Sequence, residues 1–182
     1  MEKILVLDFG GQYNQLIARR VRDHRVYAEI LPYTTPIDEI RAAGYKGIIF
    51  TGGPNSVFDP ASPHYDPAIL SLGVPVLGIC YGCQLTAWMA GGVVETAEQS
   101  EYCPITLHVE DDTSPLFADV PADSVVWMSH TDRVVKEPVG FSVTASTAAC
   151  PVAAMENRNK RLYAVQFHPE VTHSQYGDKV LE

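Results

Sequence analysis

The stretch PVLGICYGCQLTAWMAGG, residues 75–92, passes from an apolar run into a helical pattern across Gly78-Ile79-Cys80-Tyr81-Gly82. PVLGI (75–79) is apolar on both faces, as parallel strands covered by helices are. GCQLTAWMAGG (82–92) reads as a helix closed by Gly91 and Gly92. A strand that runs directly into a helix is a building unit of a doubly wound α/β sheet. In such sheets ligands bind beyond the carboxyl ends of the strands, and Cys80 stands at such an end.

The residues before this stretch repeat the alternation. KILVLD (3–8), VYAEIL (26–31) and GIIF (47–50) read as strands, with QYNQLIARRVRDH (12–24) and PIDEIRAAG (36–44) as helices between them. The later half changes character: ITLHV (105–109), SVVWMSH (124–130), FSVTAST (141–147), VAAMEN (152–157) and RLYAVQFH (161–168) are strands with few helices between them. The expected fold is therefore α/β, a doubly wound mixed sheet with added antiparallel strands in the C-terminal half and a short helix after residue 174. A length of 182 residues is one domain's worth of chain, taken as 1–182.

Composition narrows the function. Hydrophobic residues at 46% and charged ones at 19% describe a globular protein with a sizeable core. A net charge of −9 and a pI of about 5.0 offer no basic surface to nucleic acid or anionic lipid. No apolar run is long enough to span a bilayer, and MEKILVLDFGG is a strand-like opening without the features of a signal peptide. Four cysteines, at 80, 83, 103 and 150, fall short of a secreted disulfide framework, so a reducing cytoplasm is the expected compartment.

Cys80 and Cys83 form a C-x-x-C, which has three readings. A zinc site needs two more ligands, but Cys103 and Cys150 are far apart in sequence and no two histidines form an H-x3-H pair. A thiol–disulfide couple also sits between a strand and a helix, but leaves the residues after 100 without a purpose. The third reading takes Gly78-x-Cys80-x-Gly82 as the cysteine form of a nucleophile elbow. The helix N-terminus then favours a thiolate, and the amide of Tyr81 points to where an oxyanion would form. Cys83 becomes a small core residue one helical turn on.

A nucleophilic cysteine needs a base, and the base an orienting group. AVQFHPEVTHS (164–174) offers His168 and Glu170 around a turn fixed by Pro169. His130, ahead of Asp132 in SHTD, is the second-choice base. FTGGPNSVFDP (50–60) leaves a strand through a glycine pair. Pro54 removes one backbone donor of a phosphate loop and Asn55 stands where its acid is needed, but the Gly53 amide suits an oxyanion hole.

These three motifs, G-G-P, G-x-C-x-G-x-Q and H-P-E, in this order and spacing, resemble the class I (triad) glutamine amidotransferases over essentially the whole chain. The resemblance implies Cys80 as nucleophile, His168 as base and Glu170 as orienting acid. It implies Gly53 and Tyr81 as oxyanion donors, and Gln84 as a glutamine-binding position. Ser129, His130, Thr131 and Asp132 would lie at the substrate pocket. LDFGGQYNQLIARRVRD, GGPNSVFD, WMSHTDRV and HPEVTHSQYG are similar to the branch whose ammonia passes to an ATP-dependent synthetase that aminates XMP to GMP. Cys103 and Thr131 stand where that branch usually has glycine, both at the expected pocket rim. The implied half-reaction, L-glutamine to glutamate and ammonia, needs no metal or organic cofactor; ATP and Mg2+ are expected on the synthetase domain or subunit. Two alternatives are the glutaminase part of another amidotransferase, such as anthranilate or carbamoyl-phosphate synthase, and a catalytically silent glutamine-sensing subunit.

Overall fold

A computed structural model of the chain describes residues 3–11, 13–53, 65–111, 113–148, 150–170 and 174, with the side chains of 97–103 and 129–131 also outside that description. The expected strands and helices of the first half appear within a residue or two. They are β1 (Lys3–Asp8), α1 (Asn14–Asp23), β2 (Tyr27–Pro32), α2 (Ile37–Ala43), β3 (Gly47–Phe50), β4 (Val76–Ile79) and α3 (Tyr81–Ala90). β5 (Val93–Val109), β6 (Asp123–Lys136), β7 (Ser142–Ser146), β8 (Ala154–Asn157) and β9 (Leu162–Val165) follow. The short helix expected after residue 174 lies outside the described residues.

One nine-stranded sheet runs β2-β1-β3-β4-β9-β8-β7-β5-β6. β2, β1, β3, β4 and β9 are mutually parallel, and β8, β7, β5 and β6 continue the sheet with antiparallel pairings. This is the expected α/β architecture. The parallel strands are apolar throughout because both of their faces are covered: all four residues of β3 are buried. Leu5, Leu7, Phe9, Ile48, Phe50 and Val76 belong to one core cluster, shared with Ile40 of α2 and Leu85 of α3. Val6, Ile49 and Val165 belong to the other, shared with Ile17, Ala18 and Val21 of α1. The period-2 alternation of the strands divides the side chains between the two layers.

Helix boundaries follow their sequence signals. α2 begins just after Pro36, carries Asp38 and Glu39 in its first turn, and ends at Gly44 with φ 70°. α3 is buried along Tyr81–Ala87 and stops at Gly91, φ 93°, where the Gly92 amide donates to the Ala87 carbonyl at 2.7 Å. Among the described residues no helix is long and apolar enough to cross a membrane.

The later strands depart from expectation in length. ITLHV and SVVWMSH are parts of a much longer antiparallel hairpin, with β5 running from Val93 and β6 to Lys136. Its register shifts between Thr96 and Glu101. β5 meets β7 only at His108 and Val109, so most of the hairpin is a two-stranded arm beyond the sheet. Glutamates and Pro104 are tolerated there because the strand has a partner on one side only.

Candidate active site

The carboxyl ends of β1, β3, β4 and β9 converge, and the chain leaves each with a different piece of the site. Phe9 to Gly11 follow β1, Thr51 to Gly53 follow β3, Cys80 follows β4, and His168 lies three residues past the end of β9. The Phe9 amide donates to the Thr51 hydroxyl at 2.9 Å, tying the first two exits together.

Cys80 has φ 54° and ψ −107°, a conformation that costs a non-glycine residue about 1–3 kcal/mol. Its amide extends the β4–β9 ladder by donating to the Val165 carbonyl at 2.9 Å. Its carbonyl accepts from the Cys83 and Gln84 amides at 3.0 and 3.1 Å, starting α3 at once. The flanking glycines make this possible. A Cβ on Gly78 would lie 2.5 Å from the Gly82 carbonyl oxygen, and one on Gly82 would lie 2.5 Å from that of Phe50. Strand and helix pass at backbone contact, as the elbow reading requires.

Cys83, one turn into the helix, is fully buried. Burial pushes its thiol well above the usual range, reinforced by the neighbouring Cys150 and Cys80. Cys83 is thereby held as a protonated thiol in the core, while Cys80 opens toward the converging strand ends.

His168 is 5% exposed, and its Nδ1–H donates to Glu170 Oε1 at 2.7 Å. Its amide donates to the Trp127 carbonyl of β6 at 3.0 Å. Its own carbonyl accepts the Ser174 hydroxyl at 2.6 Å, and the Trp127 amide donates back to that hydroxyl at 2.8 Å. The Tyr13 ring stands edge-on to the imidazole, with centroids 5.5 Å apart. Arg20 Nε donates to the Glu170 carbonyl at 3.3 Å and braces the turn from α1.

Burial is the largest influence on His168 and pushes its pKa down. The charge and hydrogen bond of Cys80, then those of Glu170, together outweigh it and hold the imidazolium well above its ordinary range. A histidine hydrogen-bonded to a cysteine on one side and a carboxylate on the other can hold, give or take a proton at the sulfur.

Gly52 and Gly53 line the opposite wall. A Cβ on Gly52 would lie 3.1 Å from His168 Cε1 and 3.6 Å from Cys80 Cβ. One on Gly53 would lie 3.6 Å from Tyr81 Cγ, so Gly53 and Tyr81 adjoin across the site. Tyr81 is the first residue of α3, where amides have no acceptor within their own helix. Its side chain turns into the core beside Phe9, and burial pushes the phenol up to about 12.

A glutamine amidotransferase class-I family model matches residues 5–182. The chain belongs to that family. The amidotransferase is 55% identical over 180 residues to GMP synthase [glutamine-hydrolyzing] of Clostridium novyi, covering 99% of this chain and 35% of that protein. It is 57% identical over 180 residues to the enzyme of the same name from Acetivibrio thermocellus, again covering 35% of it. The chain thus spans about a third of the length of these curated relatives. The crystal structure of a candidate GMP synthase subunit from Thermoplasma acidophilum superposes with a TM-score of 0.82 at 30% identity, covering 99% of this chain and 90% of that one. A glutamine amidotransferase from Thermotoga maritima shares the fold, with a TM-score of 0.75 at 17% identity over 93% and 76% of the two chains.

Among the other residues singled out in the sequence, Asp132 is buried, and its Oδ1 accepts from the Thr96 hydroxyl at 3.0 Å. Gln84 Nε2 donates to the Asp132 carbonyl at 2.8 Å and to Gln166 Oε1 at 3.4 Å, so its carbonyl oxygen is the group left to offer a ligand. Ser129, His130 and Thr131 lie in β6, with His130 opposite Glu101 and Ser129 opposite Tyr102; their side chains are outside the described set, as is that of Cys103. The segment after Gly53, residues 54–64, is also outside it. Sequence reasoning passed over Tyr13, Arg20 and Gln166. RLYAVQFH reads as a strand to residue 168, but β9 stops at Val165 and the chain bends at Gln166 and Phe167.

Proposed function

We propose that this amidotransferase hydrolyses the side-chain amide of L-glutamine to glutamate and ammonia, and that the ammonia aminates XMP to GMP on an ATP-dependent synthetase. The observation that carries the first half is the chain of contacts Cys80–His168–Glu170 at the converging strand ends. The similarity to GMP synthases, of which the chain spans about a third, supports the second half.

The Cys80 thiolate attacks the amide carbon, and the carbonyl electrons move onto oxygen. The amides of Gly53 and Tyr81 receive that oxyanion, each such donor lowering the barrier by about 2.7–4 kcal/mol. The intermediate collapses as the His168 imidazolium gives its proton to the departing nitrogen, leaving ammonia and a γ-glutamyl thioester. His168, now neutral, takes a proton from water. The hydroxide adds to the thioester, the sulfur leaves as thiolate, and glutamate departs. Glu170 keeps the imidazole oriented and stabilises its charged form throughout. Gln84, Ser129, His130, Thr131 and Asp132 are assigned to holding the amino-acid end of glutamine. ATP and Mg2+ belong to the synthetase half.

Ammonia made without an acceptor is lost to solvent, so the hydrolysis should accelerate when the synthetase is loaded. The partner can raise the rate only by preferring the competent arrangement of the pocket rim. The test is glutamate release by the chain alone and with a synthetase loaded with ATP and XMP. Slow release that rises with the loaded partner supports both halves. No release under either condition, with glutamine bound, would support the glutamine-sensing alternative.

A further inference from the structure

Gln166 is fully buried beside the sulfur and has no part in the steps above. β9 ends at Val165 and the chain bends at Gln166 and Phe167, where the Gln166 amide donates to the Ala153 carbonyl at 2.8 Å and that of His168 to the Trp127 carbonyl at 3.0 Å. Val165 and Phe167 pack into one core layer, whereas Gln166 and His168 both reach Cys80.

Hydrogen bonding fixes which way the Gln166 amide points. The Asp132 carbonyl can only accept, so the end of Gln84 that lies 2.8 Å from it is the NH2. That NH2 is 3.4 Å from the near end of Gln166, which must then be Oε1. The remaining end, the Gln166 NH2, is directed at Cys80 Sγ at 3.8 Å. Two donors thus approach the sulfur from the His-Pro-Glu arm. The imidazole exchanges protons; the amide cannot, and can only hold.

We propose that Gln166 is a positioning residue for the Cys80 sulfur, donating its amide N–H to it, with Gln84, anchored on the Asp132 carbonyl, preventing the amide from turning over. The same three groups connect β6 to the nucleophile, so a displacement of β6 at Asp132 is transmitted to the sulfur. This deepens the glutaminase reading and rests on it for the kinetic arm of the test.

The variants Gln166→Glu and Gln166→Met separate the roles. Glutamate keeps an acceptor for Gln84 and removes the donor to sulfur; methionine fills the volume with neither. Both are made in the full chain and checked for an unchanged circular dichroism spectrum. In each, kcat for glutamine should fall about tenfold or more while KM moves by less than about threefold. Alkylation of Cys80 by iodoacetamide, measured without glutamine, should slow about tenfold, since the sulfur loses the donor that favours its reactive form. If either folded variant keeps wild-type kcat and alkylation rate, the proposal is wrong. A raised KM with unchanged kcat would also overturn it, making Gln166 a substrate contact. Should the wild-type chain show no glutaminase activity, that reading falls, and the alkylation rates still decide the role of Gln166.

Discussion

Replacing Gly52 by alanine tests the site's geometry with one methyl group. The new Cβ would lie 3.1 Å from His168 Cε1, 3.6 Å from Cys80 Cβ and 4.0 Å from His168 Nε2. Carbon atoms pack best at about 3.5–4.0 Å, so the methyl intrudes on the imidazole by about 0.4 Å and merely touches the cysteine. The imidazole has little room to retreat. Glu170 holds one side at 2.7 Å, the Tyr13 ring stands against it, and its backbone is bonded to Trp127. A misplacement of about 1 Å at a reacting group costs about 100-fold, so a shift of about 0.4 Å should cost on the order of tenfold in kcat/KM. One overpacked contact costs about 1 kcal/mol, and each kcal/mol lowers Tm by about 2–4 °C in a chain of this size. The assay pairs steady-state glutamine hydrolysis with a thermal melt. The expected result is a tenfold loss of kcat/KM with a Tm drop under about 4 °C. Wild-type kcat/KM in Gly52→Ala would refute the placement of base and nucleophile around that glycine.

Cys80→Ala should abolish glutamine hydrolysis, whereas Cys83→Ala should keep most of it and cost about 1 kcal/mol of stability in a denaturant titration; equal losses in the two would revive the paired-cysteine readings. Gly82→Ala sets a Cβ 2.5 Å from the Phe50 carbonyl oxygen, and both backbones are fixed in the core. It should cost about 3 kcal/mol or more, seen as a Tm drop of about 6–12 °C, and an unchanged melt would contradict the close passage of β3 and α3. The raised pKa of His168 keeps it charged as pH climbs past the ordinary value of about 6.5. Its stabilising contribution is therefore fully present below about 6.5 and fades as pH rises through the higher folded value. In Cys80→Ala, Glu170 alone opposes burial, so the imidazole resonances should titrate at lower pH by NMR; an unmoved titration would show that Cys80 does not hold the proton there.

Much of this arrangement was written locally and could be read. β1, β3 and β4 are apolar runs with no alternation, which only strands covered on both faces require, and Gly44 and Gly91 marked helix ends through their backbone freedom. The elbow was legible because Gly78 and Gly82 are demanded by backbone contact on either side of Cys80. What escaped was decided at a distance. Residues 93–104 mix glutamates with Pro104 and break register, so no period-2 signal announces β5; the strand forms because β6 returns alongside it. Arg20 and Tyr13 reach the His-Pro-Glu turn from α1, and nothing in their own neighbourhood shows it. Gln84 drew attention by its place in G-x-C-x-G-x-Q, but its bond to the Asp132 carbonyl depends on how β6 crosses the end of α3.

The central claim is that Cys80, set at the elbow and paired with His168, is the nucleophile that attacks glutamine. The most direct measurement is mass spectrometry of the chain after exposure to a glutamine analogue bearing an electrophilic chloroketone in place of the amide. The account predicts one label per chain, located on Cys80, slowed by added L-glutamine and absent in Cys80→Ala. A label on Cys83 or Cys150, or labelling of Cys80 that glutamine does not slow, would contradict it.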